Sequence, residues 1–298
     1  MTSTTALLTL PAPAKLNLFL HITGRREDGY HELQTVFQLL EHGDELSFHA
    51  RSDAALTLEC NEAALAGPDN LVLRAASLLR PLARQPRGLH IRLHKRLPAG
   101  GGLGGGSSDA ATTLAALNLL WDCGQDQSAL MQLGRRLGAD VPVFVYGHSA
   151  WAEGIGEKLQ ALELPPRWYL VLTPPCHAAT AAIFGHPELT RDSLAIRIPR
   201  FPFSGTRNDC QAVATRLHPE IREALEWLES RAEPGFAPRM SGTGSSVFAS
   251  YASREAAESV LAQCPAQLRA FVAAGCNRSP LYRTPGNEVQ NYWGVAKR

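Results

Sequence analysis

Six of the seven residues from 100 to 106 are glycine: Gly100, Gly101, Gly102, Gly104, Gly105 and Gly106, with Leu103 between them. Such a run loses more backbone entropy on ordering than ordinary sequence, so a folded chain keeps it where the backbone itself is used. The residues after the run indicate that use. Ser107, Ser108 and Asp109 carry helix-capping chemistry, and residues 110–121 are apolar on nearly all sides, which predicts a buried helix. Backbone N–H groups in a loop of this kind converge on an anion, and the dipole of the helix behind adds positive potential. A flexible linker does not usually run into a cap and a buried helix. The pattern Gly100-x-Gly102-x-x-Gly105 formally satisfies the dinucleotide fingerprint, but in a stretch this rich the match is nearly automatic. No Gly-Lys-Ser/Thr comes after it, which excludes a P-loop. The residues from Pro98 and Ala99 to Ser107 and Ser108 are therefore expected to cradle a phosphate.

Around this loop the hydrophobic period alternates between two and about 3.6. Residues 14–20 alternate strictly, placing Leu16, Leu18 and Leu20 on one face of a strand and Lys15 with Asn17 on the other. Residues 46–49, 56–59 and 89–93 read as further strands, and residues 70–82 as a helix. Asp126 is expected to cap a helix ending near Gly138. Beyond Leu164-Pro165-Pro166, a candidate domain boundary, the pattern predicts a strand at 168–173 and helical stretches at 209–217 and 220–230. A second small-residue loop at 241–246 leads into a strand at 247–251, a helix capped by Ser253 and a last strand at 269–273. Strands and helices interleave in both halves, so the chain is α+β or α/β. The expected division is 1–164, 165–283 and a tail, 284–298.

Composition narrows the function. With 29 basic and 28 acidic residues the net charge is +1, without the basic excess of a chain that wraps nucleic acid. No apolar run approaches the ~18 residues of a membrane span, and residues 5–10 lack the basic flank of a signal peptide. Six cysteines are scattered without a CxxC pair, which points to free thiols in a reducing, cytoplasmic setting and away from a zinc site. His90 and His94 lie in a strand-like alternation and are not read as metal ligands.

Pro98 to Ser108 resembles the phosphate-binding motif of the GHMP kinases, the superfamily of galactose, homoserine, mevalonate and phosphomevalonate kinases. Residues 13–18 (PAKLNL) look like its N-terminal motif and residues 240–248 (MSGTGSSVF) like its C-terminal one. The longer loop GGGLGGGSS is similar to one branch of the superfamily, whose alcohol substrate carries a cytidine diphosphate and feeds isoprenoid synthesis. Residues 28–31 (DGYH), 138–144 (GADVPVF) and 152–157 (AEGIGE) resemble the same branch, and the likeness runs from about residue 11 to 283.

The resemblance implies a two-lobed α+β fold, an N-terminal α/β nucleotide domain followed by a ferredoxin-like domain. It also implies a kinase using ATP as its magnesium complex, with a small alcohol as the other partner. Asp140 would be the catalytic base and Lys15 its partner. Tyr30, His31, Phe184, Thr180 and Asn17 would hold the alcohol substrate, and Asn70 and Lys95 would approach the nucleotide. Read alone, several of these stay open. Asp140 before Val141-Pro142 is also how a short helix begins, with Asp as the cap. Lys15 could be an exposed strand lysine, and Tyr30 and Phe184 ordinary core residues. A homoserine- or mevalonate-type kinase and a non-catalytic nucleotide sensor are the competing readings. Against them stand the base-stacking aromatics and the presence of both Lys15 and Asp140.

Overall fold

The alternation around Lys15 extends further both ways than the pattern predicts. A computed structural model describes residues 6–198, 200–201 and 203–283; the expected tail 284–298 lies outside them. Strand β1 (Leu8–Arg25) pairs antiparallel with β2 (His31–Ala50) across a turn in which Gly29 takes φ +88. Both faces of β1 are covered, so Lys15 and Asn17 are as buried as the leucines. The exposed-lysine reading is thereby set aside.

Strand β2 is the hub of the first lobe, pairing with β1 and β4 (Leu89–His94), which lies parallel to β3 (Leu56–Cys60). Helices α1 (Leu71–Leu79), α2 (Gly105–Leu120), α3 (Gln127–Arg135) and α4 (Val141–Tyr146) complete it. A hairpin of β5 (Ala150–Glu153) and β6 (Lys158–Ala161), which the pattern missed, also pairs with β2. The buried α2 packs through Ala110, Leu114 and Leu117 into the core of this lobe.

The second lobe runs β7 (Trp168–Thr173), α5 (Thr180–Gly185), α6 (Gln211–Leu217), α7 (Pro219–Glu229), β8 (Arg239–Met240), β9 (Val247–Tyr251), α8 (Arg254–Leu261) and β10 (Arg269–Cys276). Its strands lie in the order β10-β7-β9-β8 with every neighbour antiparallel, the ferredoxin-like arrangement. Gly275 and Cys276 at the end of β10 pair with Leu40 and Leu39 of β2, so one sheet passes through both lobes. The expected cut at 164 does not separate the contacts. Leu20 and Ile22 of β1 pack in the core of the second lobe, while Leu281 and Tyr282 return to that of the first.

One boundary is corrected. The pattern placed the cap of α2 at residues 107–109, but the helix begins at Gly105 and its N-cap is Gly104, at φ +73. Glycine reaches this left-handed conformation without a Cβ clash, so the last two glycines become the first helical turn. Asp109 is then inside the helix, where it accepts from Lys95.

Candidate active site

Lys15 holds the centre of the cleft between the lobes. Its ammonium donates to Asn17 Oδ1 at 2.6 Å and to the Gly102 carbonyl at 3.1 Å, and lies 3.3 Å from Asp140 Oδ2. The backbone joins in, with Lys15 N–H donating to the Leu103 carbonyl. Asn17 in turn donates to Thr35 Oγ1, so both ends of its amide are committed to holding Lys15 in place.

Asp140 occupies the N-cap position of α4, yet its side chain caps nothing. The carboxylate turns to Lys15 and stays one-third exposed, while the ammonium is buried. A capping role would have spent this oxygen on the helix; here it is left facing the cleft.

The two glycine loops interlock beside this pair. Ser241 Oγ donates to the Gly102 carbonyl at 2.9 Å, and Ser246 N–H donates to the Gly101 carbonyl at 3.1 Å. A Cβ on Gly102 would stand 2.2 Å from the Ser241 carbonyl oxygen, so the loops approach as closely as backbone allows. Asn208, which carried no signal in the sequence, clamps the second loop by donating to the carbonyls of Met240 and Gly242.

A cavity of about 660 Å³ opens above them. Of the expected residues it takes in Lys15, Asn17, Tyr30, His31, Pro98, Ala99, Gly100, Gly101, Gly102, Gly104, Gly105, Gly106, Ser107, Asp140, Thr180 and Phe184. At its far end His31 and Phe184 stack with ring centroids 5.0 Å apart, and Tyr30 is 57% exposed. Core packing is therefore not the role of Tyr30. Thr180 shares a hydrogen bond with Thr243 at 3.0 Å.

Four expected residues are not part of the cavity wall. Leu103 is a core residue, and Ser108 is fully buried, its hydroxyl without a hydrogen-bond partner among the described residues. Asn70 caps α1, accepting from Val72 N–H and donating to the Leu65 carbonyl. Lys95 is drawn beneath the loop, where its ammonium donates to Asp44 Oδ2 and to Asp109 Oδ2. A Cβ on Gly105 would stand 3.2 Å from that ammonium, so the charge lies directly under the first turn of α2. The reason is charge: one cation serves two buried carboxylates. Asp44 also accepts from the N–H groups of Arg96 and Leu97, pinning the segment that leads into the loop.

Burial pushes the Asp109 carboxyl up to about 7 against the pull of Lys95, and the charge of Asp44 adds to the push. Lys95 itself is raised: burial opposes its charge, but Asp109 and Asp44 outweigh it. An unfolded Asp titrates near ~3.9. Between about pH 4 and pH 7 the folded state thus keeps a proton that the unfolded chain has lost, and stability falls as pH rises through that window. Asp109→Asn cannot titrate. In urea unfolding its deficit relative to the parent is expected to shrink from about pH 5 to about pH 8; a deficit that is constant or grows would mean that Asp109 is ionised throughout.

Known proteins resemble this chain in fold and in sequence. The family model described as GHMP kinases N terminal domain matches residues 70–148, and that described as GHMP kinases C terminal matches residues 194–270. A 4-diphosphocytidyl-2-C-methyl-D-erythritol kinase of Pseudomonas aeruginosa is 52% identical over 276 residues, covering 93% of this chain and 96% of its own. One from Nitrosospira multiformis is 50% identical over 275 residues, covering 92% and 93%. A crystal structure of 4-(cytidine 5'-diphospho)-2C-methyl-D-erythritol kinase matches with a TM-score of 0.75 at 36% identity, over 90% of this chain and 99% of that one. A mevalonate kinase crystal structure matches with a TM-score of 0.67 over 91% and 100%, but at 13% identity it shares the fold alone. This chain belongs to the GHMP kinases, in the family of the 4-diphosphocytidyl-2-C-methyl-D-erythritol kinases.

Proposed function

We propose that the protein transfers the γ-phosphoryl group of ATP to the 2-hydroxyl of 4-diphosphocytidyl-2-C-methyl-D-erythritol, releasing ADP, in the non-mevalonate route to isoprenoid precursors. The observation that carries this reading is the Lys15–Asp140 pair, set where a glycine loop meets a pocket of aromatic rings. Asp140 accepts the proton of the attacking hydroxyl, and Lys15, 3.3 Å away, orients the carboxylate. Phosphoryl transfer through a loose transition state asks for little covalent help, so placement of the two reactants is the main contribution. The N–H groups of residues 100–106 and the start of α2 hold the phosphates, and magnesium arrives with the nucleotide. Asn17 positions Lys15, and Lys95 acts from beneath the loop, with Asp44 and Asp109, by fixing its shape.

The first lobe, 1–164, supplies the nucleotide side, and the second, 165–283, supplies Thr180 and Phe184 to the base. Cytosine stacks on the aromatic wall, and His31 offers a hydrogen bond to its edge. All six cysteines are free, which supports a reducing cytoplasm as the setting. Among the described residues no helix is long and apolar enough to cross a membrane.

A panel of alcohols offered with magnesium-ATP, with ADP release followed, tests the assignment. Turnover is expected with the cytidine diphosphate-linked alcohol and not with homoserine or mevalonate. Phe184→Ala and Tyr30→Ala should each weaken binding of that alcohol by roughly 1–3 kcal/mol, as for base stacking elsewhere, with ATP affinity nearly unchanged. Turnover of mevalonate or homoserine in preference to the cytidine compound would overturn the substrate assignment.

A further inference from the structure

Arg191 follows α5 in the chain and lies 160 residues from His31, with no pattern in the sequence linking the two. Its guanidinium donates at four points. Nε donates to His31 Nε2 at 3.1 Å, Nη1 to the Leu189 carbonyl at 3.1 Å, and Nη2 to the carbonyls of Phe184 and His186, each at 2.8 Å. One cation thus ties the end of α5, which carries Phe184, to the start of β2, which carries His31.

Guanidinium has donors and no acceptor, and it does not lose its proton in proteins. His31 Nε2 must therefore present its lone pair, and the single proton of the neutral ring sits on Nδ1. Burial, followed by the positive charges of Arg191 and Arg25, holds the imidazole below its ordinary value, which keeps the ring neutral at pH 7. The ring borders the cavity, and Nδ1 carries no hydrogen bond to another described residue.

We propose that Arg191 is a positioning residue for base recognition: by occupying Nε2 it makes His31 a donor through Nδ1, which selects cytosine over uracil. Cytosine offers acceptors at N3 and O2. Uracil carries a proton at N3 and opposes a donor there. A site built around a hydrogen bond rejects the analogue that cannot complete it far more strongly than an apolar wall does. The inference rests on the pocket being a cytidine site.

The direct test is the tautomer of His31 in the unaltered protein, read by nitrogen-15 NMR on a histidine-labelled sample, with His31→Gln assigning the signal. A ring protonated at Nδ1 is expected; one protonated at Nε2 overturns the proposal whatever the variants do. Kinetics supply the second arm. Arg191→Met is expected to raise KM for the cytidine substrate by about tenfold or more, a loss larger than any in kcat, with KM for ATP within about threefold. Its preference for the cytidine substrate over the uridine counterpart should fall. A purely structural arginine would leave that preference unchanged. If Phe184→Ala raises KM while Arg191→Met changes neither KM nor base preference, the Arg191 role is wrong and the cytidine site stands. If Phe184→Ala and Tyr30→Ala also leave KM unchanged, the cytidine reading of the pocket fails with it.

Discussion

Replacing Asp140 with asparagine should lower kcat by roughly 10²–10⁴-fold, the usual range for a positioned acid–base group. Affinity for both substrates should stay within a few-fold, because the interaction lost belongs to the transition state. Two features make this a discriminating substitution. Asparagine nearly preserves size and is itself a good helix cap, so a residue that merely began α4 would be replaced at little cost. The carboxylate makes no capping bond, however, and its partner is the Lys15 ammonium at 3.3 Å. A neutral amide cannot take the proton of the hydroxyl or balance that charge. Lys15→Met should give a similar loss, and the double variant should be little worse than either single one, since the pair acts as a unit. Steady-state kinetics with binding titrations on the three variants decide the matter. Near-normal turnover by Asp140→Asn would remove it from the mechanism.

The centre of this site was legible because its signals are local. A strand of period two put Lys15 and Asn17 on one face, and the structure joins them by a 2.6 Å hydrogen bond. The glycine run announced a backbone-lined loop, and the capping residues after it announced a helix. Where the reading failed, a longer-range partner decided the outcome. The family resemblance alone places Lys95 near the nucleotide. Asp44, 51 residues earlier, draws it inward instead, and nothing periodic in the sequence joins the two. Arg191 and Asn208 act through backbone carbonyls and one imidazole nitrogen in the same way. They look like ordinary polar loop residues until the chain is folded.

Short elements were lost for a different reason. β5 and β6 have four residues each and α5 has six, too few for a period to emerge. The start of α2 was misplaced because serine and aspartate are better helix caps than glycine in the general case. Gly104 wins here by geometry: at φ +73 the chain turns sharply into the helix, and a serine would be strained there. The same fact explains why both glycines after it could be absorbed into the first turn, with their N–H groups still free for an anion.

Gly104→Val is accordingly expected to damage nucleotide binding and turnover together, and more severely than its distance from the reacting hydroxyl would suggest. A β-branched residue at φ +73 is a genuine backbone outlier, so the left-handed cap must unwind or strain. Space is closed as well. A Cβ there would stand 2.8 Å from the Phe144 ring and 3.2 Å from Lys15 Cγ. Phe144 belongs to the packed core of the first lobe, so it yields little. The displacement then falls on the loop and on the stem of Lys15, which disturbs both the phosphate cradle and the pair with Asp140. Affinity for magnesium-ATP should drop by at least about tenfold, and kcat by a further order of magnitude. Gly106→Ala is the contrast for the fold. The nearest atom to its added Cβ is Leu71 Cδ1 at 3.5 Å, an ordinary contact, and the position is helical. Alanine there should leave stability equal or raise it by about 0.5–1 kcal/mol. Isothermal titration with ATP, circular dichroism and urea unfolding on both variants separate the effects. A folded Gly104→Val protein with parental ATP affinity and kcat would mean that this glycine neither shapes the cradle nor buttresses Lys15.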